Sequence, residues 1–95
     1  VIAPCTANLI AKIAHGLADD IVSATVLATK APVIIAPAMN VNMWTNPATK
    51  DNVALLRRRK ITVLDVERGE LACGAVGAGR LCSLEVILKA VDQRL

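Results

Sequence analysis

The residues of this chain that could do chemistry gather in three places, the densest being Pro37-Ala-Met-Asn-Val-Asn-Met-Trp44. Asn40 and Asn42 are neutral amides with both donors and acceptors, while Met39, Met43 and Trp44 are large and apolar. That mixture suits a half-dry pocket that orients a polar group through hydrogen bonds. It also suits an ordinary strand-to-helix turn whose Met and Trp side chains fill core. The second place is Pro4-Cys-Thr-Ala-Asn8, where Thr6 or Asn8 can cap a following helix. Helix N-termini bind anions and electron-rich heteroatoms, although a capped helix without a ligand also accounts for these residues. The third is Glu67 to Arg80, where Cys73 stands among Gly74, Gly77 and Gly79. The order G-x-x-G-x-G is not the dinucleotide fingerprint, and no Walker lysine accompanies it. Glycines at that density point instead to a mobile flap that orders on closing.

Other reactive side chains lack partners. His15 follows a helical run beside Gly16 with no carboxylate near it in sequence, so it reads as a surface or interface histidine. Cys5, Cys73 and Cys82 form no C-x-x-C pair, and one histidine cannot complete a zinc set with them. No metal site is expected. An odd number of cysteines without a signal peptide fits a reduced, cytoplasmic protein.

The elements that must position these residues alternate in type. Val1-Ile-Ala3 reads as the end of a strand and Pro4 to Asn8 as the loop beyond it. A helix follows with Leu9, Ile10, Ile13, Ala14 and Leu17 on one face, stopped at Gly16. Asp19 and Asp20 open a second helix, Ile21 to about Thr29. Ala31 to Ala36 is the most apolar strand signal, and the Pro37–Trp44 stretch lies at its mouth, where open α/β sheets place ligands. Asn46 and Pro47 start another helix as cap and first residue. It ends in the basic run Arg57 to Lys60, whose cations oppose the helix dipole. Ile61 to Leu64 is a short strand completing a βαβ unit. The last helix has Ser83 as cap and Leu84, Ile87, Leu88, Val91 and Leu95 on one stripe, with Cys82 packing near its start.

Ninety-five residues make one small domain or part of one. A 55% hydrophobic content is high for that size, yet no run approaches the roughly 18 apolar residues needed to span a bilayer. The excess points to a buried parallel sheet and subunit contacts. Trp44 is the only aromatic residue, so the net charge of +3 has no base-stacking platform beside it, and no nucleic-acid or membrane partner is expected.

Three stretches resemble, in order, motifs of the homo-oligomeric flavin-containing cysteine decarboxylases, a family that includes phosphopantothenoylcysteine and lantibiotic peptidyl-cysteine decarboxylases. A-P-x-T-A-N-x-I-A-K-I-A-x-G-x-A-D-D, from Ala3 to Asp20, is similar to the block that lines the flavin. P-x-M-N-x-x-M-W, from Pro37, resembles the substrate-recognition motif, and L-A-C-G-x-x-G-x-G-R-L, from Leu71, resembles the substrate clamp. The resemblance implies that Pro4, Cys5, Thr6, Ala7 and Asn8 bind FMN. It also implies that Met39, Asn40, Met43, Trp44, Ala72, Gly74 and Arg80 meet substrate, with Asn40 and Cys73 catalytic. One departure is Ala75, where relatives often carry an acidic residue.

The fold so implied is α/β, flavodoxin-like (Rossmann-type), with three layers and a parallel sheet. Residues 1–95 are then the later part of one decarboxylase domain, the family's phosphate loop and active-site histidine lying upstream. The implied enzyme is an FMN-dependent carboxy-lyase that converts phosphopantothenoylcysteine to phosphopantetheine in coenzyme A biosynthesis. A peptide's C-terminal cysteine is the alternative substrate, and a non-catalytic regulatory or scaffold relative of the same fold is the alternative role. A trimer or a dodecamer of trimers acting on a small cysteine-containing molecule is expected. In such an enzyme FMN takes a hydride equivalent from the substrate cysteine, a neutral amide orients the carboxylate without neutralising it, and a thiol supplies the proton for a saturated product.

Overall fold

A computed structural model of the chain describes residues 1–70 and 76–95. Strand β1 (Ile2–Cys5) leads into helix α1 (Ala7–His15) and helix α2 (Ile21–Ala28). Strand β2 (Ile34–Pro37) is followed by a short helix α3 (Val41–Thr45), helix α4 (Pro47–Arg58) and strand β3 (Thr62–Val63). Strands β4 (Glu67–Glu70) and β5 (Val76–Arg80) precede the last helix α5 (Leu84–Asp92).

The main sheet is parallel, in the order β1-β2-β3. Its middle strand is buried along its whole length, which explains the unbroken apolar run from Val33 to Pro37. Ile2 pairs with Ile35 and Cys5 with Pro37, and the register slips between them, where Pro4 has no N–H to give the ladder. Ile34 and Ile35 pair with Thr62 and Val63, closing the expected βαβ unit. Helices α1 and α4 pack on this sheet through Ile10, Ile13, Ala14, Val53 and Leu56, which form one core with Cys5, Ile35, Trp44 and Val63. The α/β class with a parallel sheet is the one anticipated.

Local chemistry sets the helix ends. The Thr6 hydroxyl accepts from the Leu9 N–H at 3.1 Å. At the other end of α1, Gly16 adopts φ 71° and the Leu17 N–H reaches back to the Lys12 carbonyl at 3.0 Å. This is the 6→1 closure of a Schellman motif, and its left-handed residue is glycine for want of a Cβ. Asp20 caps α2 reciprocally with Ser23, Asn46 caps α4 ahead of Pro47, and Ser83 caps α5.

Several boundaries differ from the sequence reading. The segment taken as a loop, Pro4 to Asn8, is strand through Cys5 and helix from Ala7, because β1 keeps pairing with β2 past the proline. Leu17 lies beyond α1 and is exposed, since the glycine stop turns the chain off the helical face. Thr29 caps α2 instead of extending it. The run from Ala31 enters the sheet only at Ile34. On α5 the buried residue is Ala90, whereas Leu84, Leu88 and Leu95 are exposed, so most of the expected stripe is not covered by the described residues.

The glycine-rich segment read as a mobile flap frames an antiparallel hairpin. Glu67, Arg68, Gly69 and Glu70 pair with Arg80, Ala78, Gly77 and Val76. This two-stranded sheet is separate from the parallel one. Of the basic run, Arg59 donates to the Ala14 carbonyl at 2.7 Å and Arg57 to the Val63 carbonyl at 2.9 Å, tying the end of α4 to α1 and β3.

Candidate functional site

The candidate site is the crevice position of an open α/β sheet, beyond the C-terminal ends of strands that lie side by side, here β1 and β2. The ladder continues past Pro37, with the Ala38 N–H donating to the Cys5 carbonyl at 3.2 Å. The next amide leaves the sheet, and the Met39 N–H donates to the Gly79 carbonyl at 2.8 Å. The three chemical segments of the sequence therefore converge. The Pro4–Asn8 segment and the Met39–Trp44 segment leave neighbouring strand ends, and β5 packs on α3.

Asn40 plays a structural part that its sequence context hid. It is the cap of α3, its side-chain oxygen accepting from the Asn42 N–H at 2.7 Å. Because an amide has one oxygen and one –NH2, this bond fixes which end remains available. The oxygen serves the helix, and among the described residues the –NH2 of this exposed residue has no partner.

The apolar members of the stretch separate by depth. Trp44 is buried, 6% exposed, and the Lys50 ammonium sits 4.2 Å from its ring centroid in a cation–π contact. Met39 is partly buried against the core, and Met43 is 49% exposed. Trp44 thus anchors α3 to the core, whereas Met39 and Met43 keep exposed surface. The contact from Lys50, six residues on, carried no periodic signal in the sequence.

Among the residues expected to bind cofactor, Pro4, Thr6 and Asn8 are exposed and Ala7 is half-buried. The Thr6 hydroxyl takes the Leu9 N–H, leaving the first-turn amides of Ala7 and Asn8 outside the intrahelical ladder. Cys5 is fully buried, its Sγ 3.9 Å from the Thr6 carbonyl, and burial pushes its thiol up to about 11. Its contribution at the crevice is therefore made by backbone. Cys82 is also buried, and burial raises its thiol as well.

Arg80 is exposed at the end of β5. Ala72, Cys73 and Gly74 lie outside the described residues. His15 is exposed, its Nε2 3.0 Å from the Asn52 Oδ1. It is at the far end of α1, about 13 Å along the axis from Thr6, so it does not reach the crevice. Among the described residues no three His, Cys, Asp or Glu side chains form a metal-binding group, and no helix is long and apolar enough to cross a membrane.

The whole chain, residues 1–95, matches the Flavoprotein family model. It is 47% identical over 93 residues to the coenzyme A biosynthesis bifunctional protein CoaBC of Bacillus subtilis, covering 98% of this chain and 23% of that protein. A solved structure of a cysteine-to-serine PPC decarboxylase mutant complexed with pantothenoylaminoethenethiol superposes with a TM-score of 0.92 at 35% identity. The match covers 97% of this chain and 52% of that one. The FMN-dependent cysteine decarboxylase SpaF gives a TM-score of 0.76 at 41% identity, over 98% and 50% of the two chains. The chain thus spans about a quarter of its curated relative and about half of the solved chains. With the parallel sheet and a family match over every residue, the chain belongs to the Flavoprotein family.

Proposed function

We propose that this chain is the later part of an FMN-dependent decarboxylase that converts phosphopantothenoylcysteine to phosphopantetheine in coenzyme A biosynthesis. The observation that carries the reading is Asn40. Its amide oxygen is held by its own helix, its –NH2 has no partner among the described residues, and it stands on the segment that leaves β2 beside the Pro4–Asn8 segment of β1.

That arrangement suits a reaction in which a carboxylate must leave. A fixed neutral donor orients the anion through hydrogen bonds, whereas an arginine would stabilise the ground-state charge and slow its loss. Met39 and Met43 offer apolar contact beside the donor, limiting water around the reacting group. FMN bound in the crevice would supply the two-electron oxidation of the substrate cysteine that makes decarboxylation accessible. The residues present fit such a group. The first turn of α1 offers the amides of Ala7 and Asn8, and the exposed Asn8 side chain offers both donor and acceptor. Cys73 is assigned the proton that completes a saturated product, and Ala72, Gly74 and Arg80 the substrate contacts beside it.

Full-length protein is expected to purify yellow, with about one FMN per subunit, and to release carbon dioxide from phosphopantothenoylcysteine. Turnover only of peptides ending in cysteine would move the substrate to the peptidyl class. A colourless preparation that takes up no FMN would refute the enzyme and favour the scaffold role.

A further inference from the structure

The contact between the hairpin and the recognition segment has no assigned role, and its geometry is restrictive. Met39 supplies the first amide beyond the β1–β2 ladder, and the Gly79 carbonyl, 2.8 Å away, is its acceptor. Gly79 is buried and has φ 134°, a conformation that L side chains rarely adopt. A Cβ added there would also run into the Met39 carbonyl oxygen and would stand 3.4 Å from both the Met39 carbonyl carbon and the Val41 nitrogen. Two separate constraints therefore exclude a side chain at residue 79, one from its own backbone and one from the neighbour it touches. The second acts on Met39 and Val41, the two residues that bracket the Asn40 donor.

The hairpin has a second anchor at its base. The Glu67 carboxylate accepts from the Ser83 N–H at 2.8 Å, joining β4 to the cap of α5. Of the two anchors, only Gly79 reaches the recognition segment.

We propose that Gly79 is a positioning residue: its carbonyl and its lack of a side chain latch the hairpin onto Met39 and so fix Asn40 against the substrate. The proposal rests on the decarboxylase reading above, and it makes a prediction that is independent of turnover. In full-length, FMN-loaded wild-type protein, hydrogen exchange should find the Met39 amide at least about a hundredfold slower than an unstructured amide. Gly79→Ala should speed exchange at Met39 about tenfold or more while leaving Ile35, inside β2, unchanged. The variant should keep its FMN, and kcat should fall roughly tenfold to a hundredfold with KM changed less than about threefold, as expected for misplacement near the reacting group.

Free exchange of Met39 in the wild type would overturn the proposal, and that measurement decides the matter even where Gly79→Ala fails to fold. Normal kcat in the variant would also overturn it. So would acceleration at Ile35 in step with Met39, because the change would then be a general loosening of the sheet. A wild-type protein without decarboxylase activity would sink the functional reading while leaving the exchange result to judge the latch.

Discussion

Asn40 works in two directions, and a substitution can separate them. Asn40→Asp keeps an oxygen for the Asn42 N–H, so α3 retains its cap. The same change removes the outward –NH2 and sets a negative charge against a substrate carboxylate. Activity of the full-length enzyme is expected to fall by at least about a hundredfold, the scale of a few kcal/mol of lost positioning, with melting temperature and FMN content close to wild type. Normal turnover by this variant would show that the amide is not the orienting group. The residue types at the crevice were legible in the sequence because Met, Asn and Trp are unusual together in a loop. Which atoms remained free was not, since that depends on a helix of only five residues. Cys5 shows the converse case. The Pro4–Asn8 stretch looks polar enough to face a ligand, yet β1 still pairs at Cys5 and carries the thiol into the core.

Element boundaries followed the same division between local and distant causes. Caps at Thr6, Asp20, Asn46 and Ser83 and the glycine stop of α1 depend on side chains within a few residues, and sequence reveals such features. The β4–β5 hairpin could not be read that way, because its glycines hide the alternation that marks a strand and its tie to Met39 lies far away in the chain. The cap of α2 also carries a pH signature. Asp20 accepts from the Ser23 N–H and meets the Lys12 ammonium at 2.9 Å, and these interactions hold its carboxyl at about 2 instead of 3.8. A carboxylate depressed in the folded state stabilises fully above its unfolded value and loses that contribution as pH falls through its folded one. Asp20→Asn should therefore melt below wild type by a constant margin from about pH 5 to 7, and the margin should close between about pH 4 and 2. A margin that persisted unchanged to pH 2 would remove the charge from the account.

At the scale of the molecule, the main core cluster sits at the junction of α1, α4 and the sheet, while several large apolar side chains remain exposed. Ile21, Val22 and Leu27 on α2 and Leu84, Val86 and Leu88 on α5 are exposed. We expect full-length protein to assemble, with light scattering giving a trimer or a multiple of three; a monomer at micromolar concentration would refute this. The apolar content pointed to contacts beyond the chain, but which faces are left exposed emerged only once Ala90, and not Leu84 or Leu88, proved to be the buried side of α5. The hairpin has a different standing. Its strands complete their ladder with each other and leave the parallel sheet intact, so the part that lies over the recognition segment is not part of the frame that holds it. A change within the hairpin therefore leaves the pairing of the parallel sheet untouched, as a shutter can be rehung without rebuilding its window. Glu67, tied to the cap of α5, and Gly79, tied to Met39, are the two fixings by which it hangs there.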